Sequence, residues 1–121
     1  MESGEETVSR NLMDILPRNV MEALLRLGQK YAAMGVELVL FGSFARGTAR
    51  RFSDLDIGIR WKNGRSKHLY FQLRNDINLL PTIRKIELVD FSEAGERFEK
   101  EAMKDTIKLT DLVSEYHYSE E

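Results

Sequence analysis

The spacing of apolar positions divides the chain into a short series of elements. Between residues 18 and 34, Val20, Leu24, Leu27 and Tyr31 recur every three or four positions, and Met21, Leu25 and Ala32 widen the stripe. This pattern predicts an amphipathic helix stopped at Gly35. The apolar, partly β-branched run Val36 to Phe41 leads at once into Gly42-Ser43, as a buried strand entering a tight turn does. A helical turn over residues 44–46 follows, with Ser43 as its expected cap and Gly47 as its end. After a polar loop through Arg51, residues 53–59 alternate polar or small positions with Leu55, Ile57 and Ile59, the pattern of a half-buried strand. Asn63-Gly64 marks a turn. Leu69, Tyr70, Leu73, Ile77 and Leu80 predict a helix over residues 67–80, closed by Pro81. Residues 85–91 read as a third strand, with Ile86 and Leu88 on one face and Glu87 and Val89 on the other. Ser92, followed by Glu93 and Glu96, is the expected start of a last helix carrying Phe98, Ala102, Met103, Ile107 and Leu109.

Three short strands among four helical segments imply a small α/β domain with one sheet face packed and the other available for chemistry. Residues 1–10 are expected to be flexible, 11–113 to form a single domain and 114–121 to be a polar tail. A length of 121 residues suits one domain. Eighteen Lys and Arg against twenty Asp and Glu give a net charge of −2, so no direct nucleic-acid binding is expected. The absence of cysteine excludes a disulfide framework, a thiol nucleophile and Cys-ligated zinc or iron–sulfur sites. The acidic, polar start and the lack of any long apolar run predict a cytoplasmic protein without a membrane segment. Charge is uneven along the chain. Residues 42–68 hold seven basic and two acidic residues, a stretch suited to an anionic ligand, whereas residues 87–121 hold four basic and eleven acidic ones and are either solvated or meet a basic partner.

The candidate chemistry lies in Gly42-Ser43-Phe44-Ala45-Arg46-Gly47 and Ser53-Asp54-Leu55-Asp56. Alternate strand residues share a face, so Asp54 and Asp56 project together, opposite Leu55 and Ile57. Two such carboxylates repel unless a cation relieves them or one is protonated, and a hard divalent ion such as Mg²⁺ suits both carboxylate and phosphate oxygens. Gly42 lets the backbone approach a ligand closely, Ser43 and the following amides offer donors to phosphate, and Arg46 adds a fixed positive charge. The arrangement fits metal-assisted attack at a nucleotide phosphate. Glu87 has the parity to join the pair as a third carboxylate. Asp90 has the other parity and is the alternative at the strand end.

Gly-Ser-x-Ala-Arg-Gly followed by Ser-Asp-x-Asp resembles the signature of the nucleotidyltransferase superfamily that includes DNA polymerase beta and kanamycin nucleotidyltransferase. At this length the chain is most similar to the minimal nucleotidyltransferases, single-domain proteins often encoded beside a helical HEPN partner. The resemblance spans about residues 36–59, with a weaker match over 85–109. It implies a mixed sheet flanked by helices, the polymerase beta-like nucleotidyltransferase fold. It further implies Mg²⁺ held by Asp54 and Asp56, with Glu87 standing where the family often has Asp, and a nucleoside triphosphate bound near Gly42, Ser43, Arg46 and Ser53. The implied reaction transfers a nucleoside monophosphate, AMP from ATP by default, to an acceptor hydroxyl, with Asp54, Asp56 and Glu87 catalytic.

The antibiotic-modifying relatives carry a second, acceptor-holding domain for which this chain has no residues, so the acceptor is expected to come from elsewhere. In the HEPN-paired relatives the partner is a ribonuclease-type toxin that the nucleotidyltransferase neutralises, in characterised systems by adenylylating a tyrosine. The resemblance therefore implies an antitoxin with a HEPN-type protein partner, and leaves room for an oligomer. Two alternatives stand beside it: a non-catalytic module of the same fold that binds nucleotide or partner, and a small-molecule, antibiotic-directed enzyme. Among other residues, Phe44 is expected to anchor the short helix in the core, and Trp61 either packs at the strand end or stacks on a base. Arg50 and Arg51 either solubilise the loop or meet phosphate. His68 and His117 lack metal-ligand spacing. Tyr116 and Tyr118 are either acceptors or an aromatic tail.

Overall fold

The computed structural model describes residues 16–50 and 52–112. Helix α1 (Arg18–Ala32) precedes strand β1 (Val36–Phe41), the single turn α2 (Ser43–Arg46), β2 (Leu55–Trp61), α3 (Lys67–Asn78), β3 (Ile86–Asp90), α4 (Phe91–Ala94), α5 (Glu96–Ala102), β4 (Ile107–Lys108) and a 3₁₀ turn at Leu109–Asp111. The strands form one mixed sheet in the order β3-β2-β1-β4, with β1 antiparallel to both β2 and β4 and β2 parallel to β3. The expected mixed sheet flanked by helices is therefore present, with one strand more than the hydrophobic pattern indicated.

Strand parity divides the apolar residues between the two faces. Leu38 and Leu40 of β1, Leu55, Ile57 and Ile59 of β2, and Ile86 and Leu88 of β3 turn toward α1 and α3, where Val20, Leu24, Leu27, Tyr31, Leu73 and Ile77 complete the main core. Tyr31 is wholly buried, yet its hydroxyl donates to Asp76 Oδ2 at 2.7 Å, and Lys30 reaches the same oxygen at 2.8 Å. These bonds tie α1 to α3 and hold the Asp76 carboxyl low against the opposing effect of burial. The opposite face packs a smaller cluster, Val39, Phe41 and Phe91 with Val89, Ala102 and Met103. The Phe91 ring lies directly on the backbone of Gly58, where any Cβ would collide with it. Farther along this face the cross-strand pair Glu37 and Arg60 extends to Glu99 of α5, with Arg60 donating to the two carboxylates at 2.9 and 3.0 Å. Among the described residues, helices α4 and α5 thus cover one half of this face and leave the other half bare.

The single helix expected to start at Ser92 and run through Leu109 is instead two short helices and a strand. Asp90, not Ser92, is the cap, and its carboxylate accepts from the Ser92 amide at 3.0 Å. Gly95, at φ 102°, separates α4 from α5. Ala102 and Met103 pack on one face of the sheet, whereas Ile107 and Leu109 pack on the other, so the chain must pass the sheet edge between them. A straight amphipathic helix has one apolar stripe and cannot serve both faces. The helix expected to reach Leu80 ends at Asn78, three residues before Pro81. At the far end of β2, Gly64 turns at φ 88° with open space around it. The expected flexible start, residues 11–15 and the tail from Ser114, with Tyr116, His117 and Tyr118, lie outside the described residues, as does Arg51. No helix among the described residues is long and apolar enough to cross a membrane.

Candidate active site

The bare half of the second sheet face is where the motif residues meet. Phe41, the last residue of β1, stands opposite Asp56 of β2, which in turn stands opposite Glu87 of β3. Residues in register on adjacent strands share a face, so strand pairing alone brings Asp56 and Glu87, thirty-one positions apart, side by side. Asp54 lies two residues before Asp56, just outside the strand, and its Oδ2 is 4.0 Å from Lys85 Nζ.

Gly42 follows Phe41 and turns the chain at φ 73°, ψ −148°. Few residues other than glycine adopt this conformation. A side chain there would also collide with Asp56 Oδ2. Both the backbone angle and the close approach require glycine, and together they lay the Gly42-Ser43 turn against the Asp56 carboxylate. Gly42 is the N-cap of α2 and Ser43 its first residue, so Ser43 does not cap the helix as the sequence suggested. Its carbonyl accepts from the Thr48 amide at 2.9 Å, and Gly47 closes the turn at φ 78°. The wholly buried Phe44 pins α2 to the core, as expected.

Burial, followed by the charges of Glu87 and Asp54, holds the Asp56 carboxyl above its ordinary value, while Arg46 pulls it the other way. Glu87, Asp54 and Arg46 are thus each near enough to act on the Asp56 carboxyl. Ser53 has another occupation: its hydroxyl accepts from the Arg50 amide at 2.8 Å and shapes the loop that delivers Asp54. Asp90 is turned from Glu87 and buried, with Trp61 Nε1 donating at 2.9 Å, Arg65 Nε at 2.7 Å and the Ser92 hydroxyl at 2.7 Å. Burial raises its carboxyl, but the bonds from Ser92, Arg65 and Trp61 outweigh this and hold it low. Trp61 is accordingly committed to packing and to Asp90 at the far end of the strand. His68 is exposed in the first turn of α3.

Two positioning residues carried no signal in the motif. Arg84 donates to the Ser53 carbonyl at 2.7 Å and lays its guanidinium 5.3 Å from the centre of the Phe44 ring, joining the loop before β2 to α2. Lys85 stands beside Asp54. The parity that selects Glu87 also selects Lys85, two residues earlier, and was the available clue.

The donor set fits a divalent cation. Three carboxylates share one face, one is held high by burial and then by the charge of the other two, and all offer hard oxygen atoms. Among the described residues no three acidic or histidine side chains are drawn close enough to hold an ion as they stand. A complete protein cage is not required, because Mg²⁺ is commonly bound by one or two carboxylates together with substrate phosphates.

Residues 30–113 match the family model described as polymerase beta, nucleotidyltransferase. No curated protein sequence matches the chain significantly. Among solved structures, the chain is similar to one in a toxin–antitoxin crystal structure with AMP-PNP, at 19% identity over 96% of this chain and 89% of that one, with a TM-score of 0.48. It is also similar to a nucleotidyltransferase structure from Sulfolobus solfataricus described as putative, at 17% identity over 89% of each chain, again with a TM-score of 0.48.

Proposed function

Because the chain belongs to the polymerase beta nucleotidyltransferase family, we propose that it transfers a nucleoside monophosphate, AMP from ATP, to a hydroxyl of a partner protein, with Mg²⁺ as cofactor. The observation that carries this reading is the single line Phe41–Asp56–Glu87 across three strands, with the Gly42 backbone pressed against Asp56. Phosphate-cradling turn and carboxylates are thereby neighbours before any ligand arrives.

In this reading Asp54 and Asp56 hold the metal, with Glu87 as third ligand or proton acceptor. Bound there, Mg²⁺ would offset the charge of the phosphates and of the leaving pyrophosphate. The Gly42-Ser43 turn and Arg46 orient the triphosphate. The acceptor oxygen forms a bond to the α-phosphorus, the bond from that phosphorus to the bridging oxygen breaks, and pyrophosphate departs with the electron pair. Glu87, the most exposed of the three carboxylates, takes the hydroxyl proton. The Ser53 hydroxyl accepts from the Arg50 amide and keeps its own proton to donate to a phosphate oxygen. The resemblance of the motif to the minimal nucleotidyltransferases supports a HEPN-type toxin as acceptor and an antitoxin role in the cytoplasm.

Transfer of label from α-labelled ATP and Mg²⁺ into proteins of a lysate of the encoding organism tests this function. A labelled band formed by the wild type and not by Asp56→Asn is expected, and its mass identifies the acceptor. Absence of both label and Mg·ATP binding would overturn it.

A further inference from the structure

The sheet ends at β3, and among the described residues no strand pairs with the outer side of that strand. Which of its backbone groups face outward follows from the register. Leu55 stands opposite Ile86, and its amide donates to the Lys85 carbonyl at 2.9 Å. In a parallel pair a residue bonded in this way uses the two neighbours of its opposite number, so Lys85, Glu87 and Val89 turn their backbone groups inward to β2. Ile86 and Leu88 then turn their N–H and C=O groups to the open side. Sheet edges are commonly blunted by proline, lysine or a bulge. Residues 86–90 contain neither residue type, and their pairing with β2 runs unbroken over five positions. The side chains agree: Leu55, Ile57 and Ile59 of the central strand are wholly buried, whereas Ile86 and Leu88, on the same face, are only half-buried.

The edge also lies on the side of the site from which an acceptor must come. The Gly42-Ser43 turn follows Phe41 of β1, Asp56 is on β2 and Glu87 is on β3, in one line across the sheet. Displacement at phosphorus places the attacking and leaving oxygens on opposite sides. In the proposed transfer the triphosphate rests on the turn, over β1, so the acceptor hydroxyl approaches over β3 and lies within hydrogen-bond reach of Glu87. A strand added outside β3 runs about 4.8 Å away. In an antiparallel addition the residue opposite Glu87 forms a non-hydrogen-bonded pair, the pair in which opposed side chains stand closest, and it shares the face of Glu87. Its two neighbours exchange backbone bonds with Ile86 and Leu88 and turn their side chains to the face where those two pack. Only a polypeptide has the alternating N–H and C=O groups that such an edge pairs with.

We propose that the open edge of β3 binds the acceptor protein through an extended segment, which joins the sheet antiparallel and presents its hydroxyl residue opposite Glu87. The inference rests on the transfer of a nucleotide to a protein hydroxyl, and it adds the means of recognition, backbone pairing with a strand edge. The preferred segment carries apolar residues immediately before and after the modified Ser, Thr or Tyr, where they cover the half-buried Ile86 and Leu88.

Labelling of a short peptide library, degenerate around a fixed central Ser, Thr or Tyr, by the full chain with α-labelled ATP and Mg²⁺ tests the pairing. Labelled peptides are expected to favour Val, Ile, Leu or Phe on both sides of the hydroxyl residue. N-methylation of the preferred peptide at either of these neighbours removes a donor to the edge and should cut labelling at least tenfold, whereas N-methylation at the hydroxyl residue itself should be tolerated. Amide exchange followed by NMR reads the same edge from the protein side: saturating peptide should slow exchange at Ile86 and Leu88 at least tenfold. Labelling insensitive to all these methyl groups overturns the proposal, as does unchanged exchange at Ile86 and Leu88. Protection of those two amides that grows with the concentration of the chain alone would assign the edge to a second copy and overturn the proposal too. Calorimetric titration with Mg·ATP separates the two levels. A chain that binds Mg·ATP and labels a lysate protein but no peptide keeps the transfer reading and loses the edge, whereas without Mg·ATP binding the transfer reading fails and amide protection by the pooled library alone decides the edge.

Discussion

Asp56 is a residue whose charge works against the fold that holds it. Its carboxyl is held above the value of 3.8 that it has in an unstructured chain, first by burial and then by Glu87 and Asp54. The folded protein therefore keeps that proton to a higher pH than the unfolded chain does, and the linked stability declines as pH rises through the interval above 3.8. Asp56→Asn removes the penalty. In metal-free buffer at pH 7 the variant should melt at a higher temperature than the wild type, while its transfer rate falls by at least about 100-fold. Thermal melts followed beside label transfer check both signs, and a lower melting temperature would contradict the account. Gly42→Ala has the opposite stability effect. It imposes a side chain on a glycine-only conformation and on the space held by Asp56 Oδ2, and should cost about 1–3 kcal/mol in denaturant melts as well as activity. Gly42, Asp54, Asp56 and Glu87 were legible in the sequence because parity and a short motif specify them. Arg84 was not, since its position depends on pairing between β2 and β3, and Lys85 was hinted at only by the parity it shares with Glu87.

At the scale of elements, α1, β1, β2, α3 and β3 follow the apolar periods closely, because each packs against one face. The segment after Asp90 escaped the same logic. Phe98, Ala102, Met103 and Ile107 keep a spacing compatible with one helix, yet the first three belong to the face of Phe91 and the last to the face of Leu38. Asp90 governs this change of direction. It accepts from Trp61, Arg65 and Ser92 and starts α4, which is why a carboxylate of plausible chemistry is structural here. Asp90→Ala removes a helix cap and leaves buried donors without their acceptor, and should destabilise by about 2–3 kcal/mol in urea. Because its carboxyl is held low, the contribution is present above the unfolded value of 3.8 and fades as pH falls through the folded one. The difference between wild type and variant should therefore narrow in acid. A difference of the same size at pH 3 and pH 7 would argue against the ionised carboxylate.

For the whole molecule, the sheet separates two tasks: one face is a core against α1 and α3, and the other is half lid, half site. Binding at the bare half adds to the stability of every element beneath it, because ligands that bind only the folded state draw the equilibrium toward it. At 100 times its Kd, Mg·ATP should add about 2.7 kcal/mol, read as a rise in melting temperature that EDTA removes. No rise at saturating concentration would count against a nucleotide site. The Gly64 turn, at the opposite end of the seven-residue β2 from Asp54, is about 20 Å from the carboxylates by strand length and is bordered by open space. That separation makes the turn an attachment point for fluorophores or a split reporter: a tag there can track occupancy in living cells while the entrance remains clear.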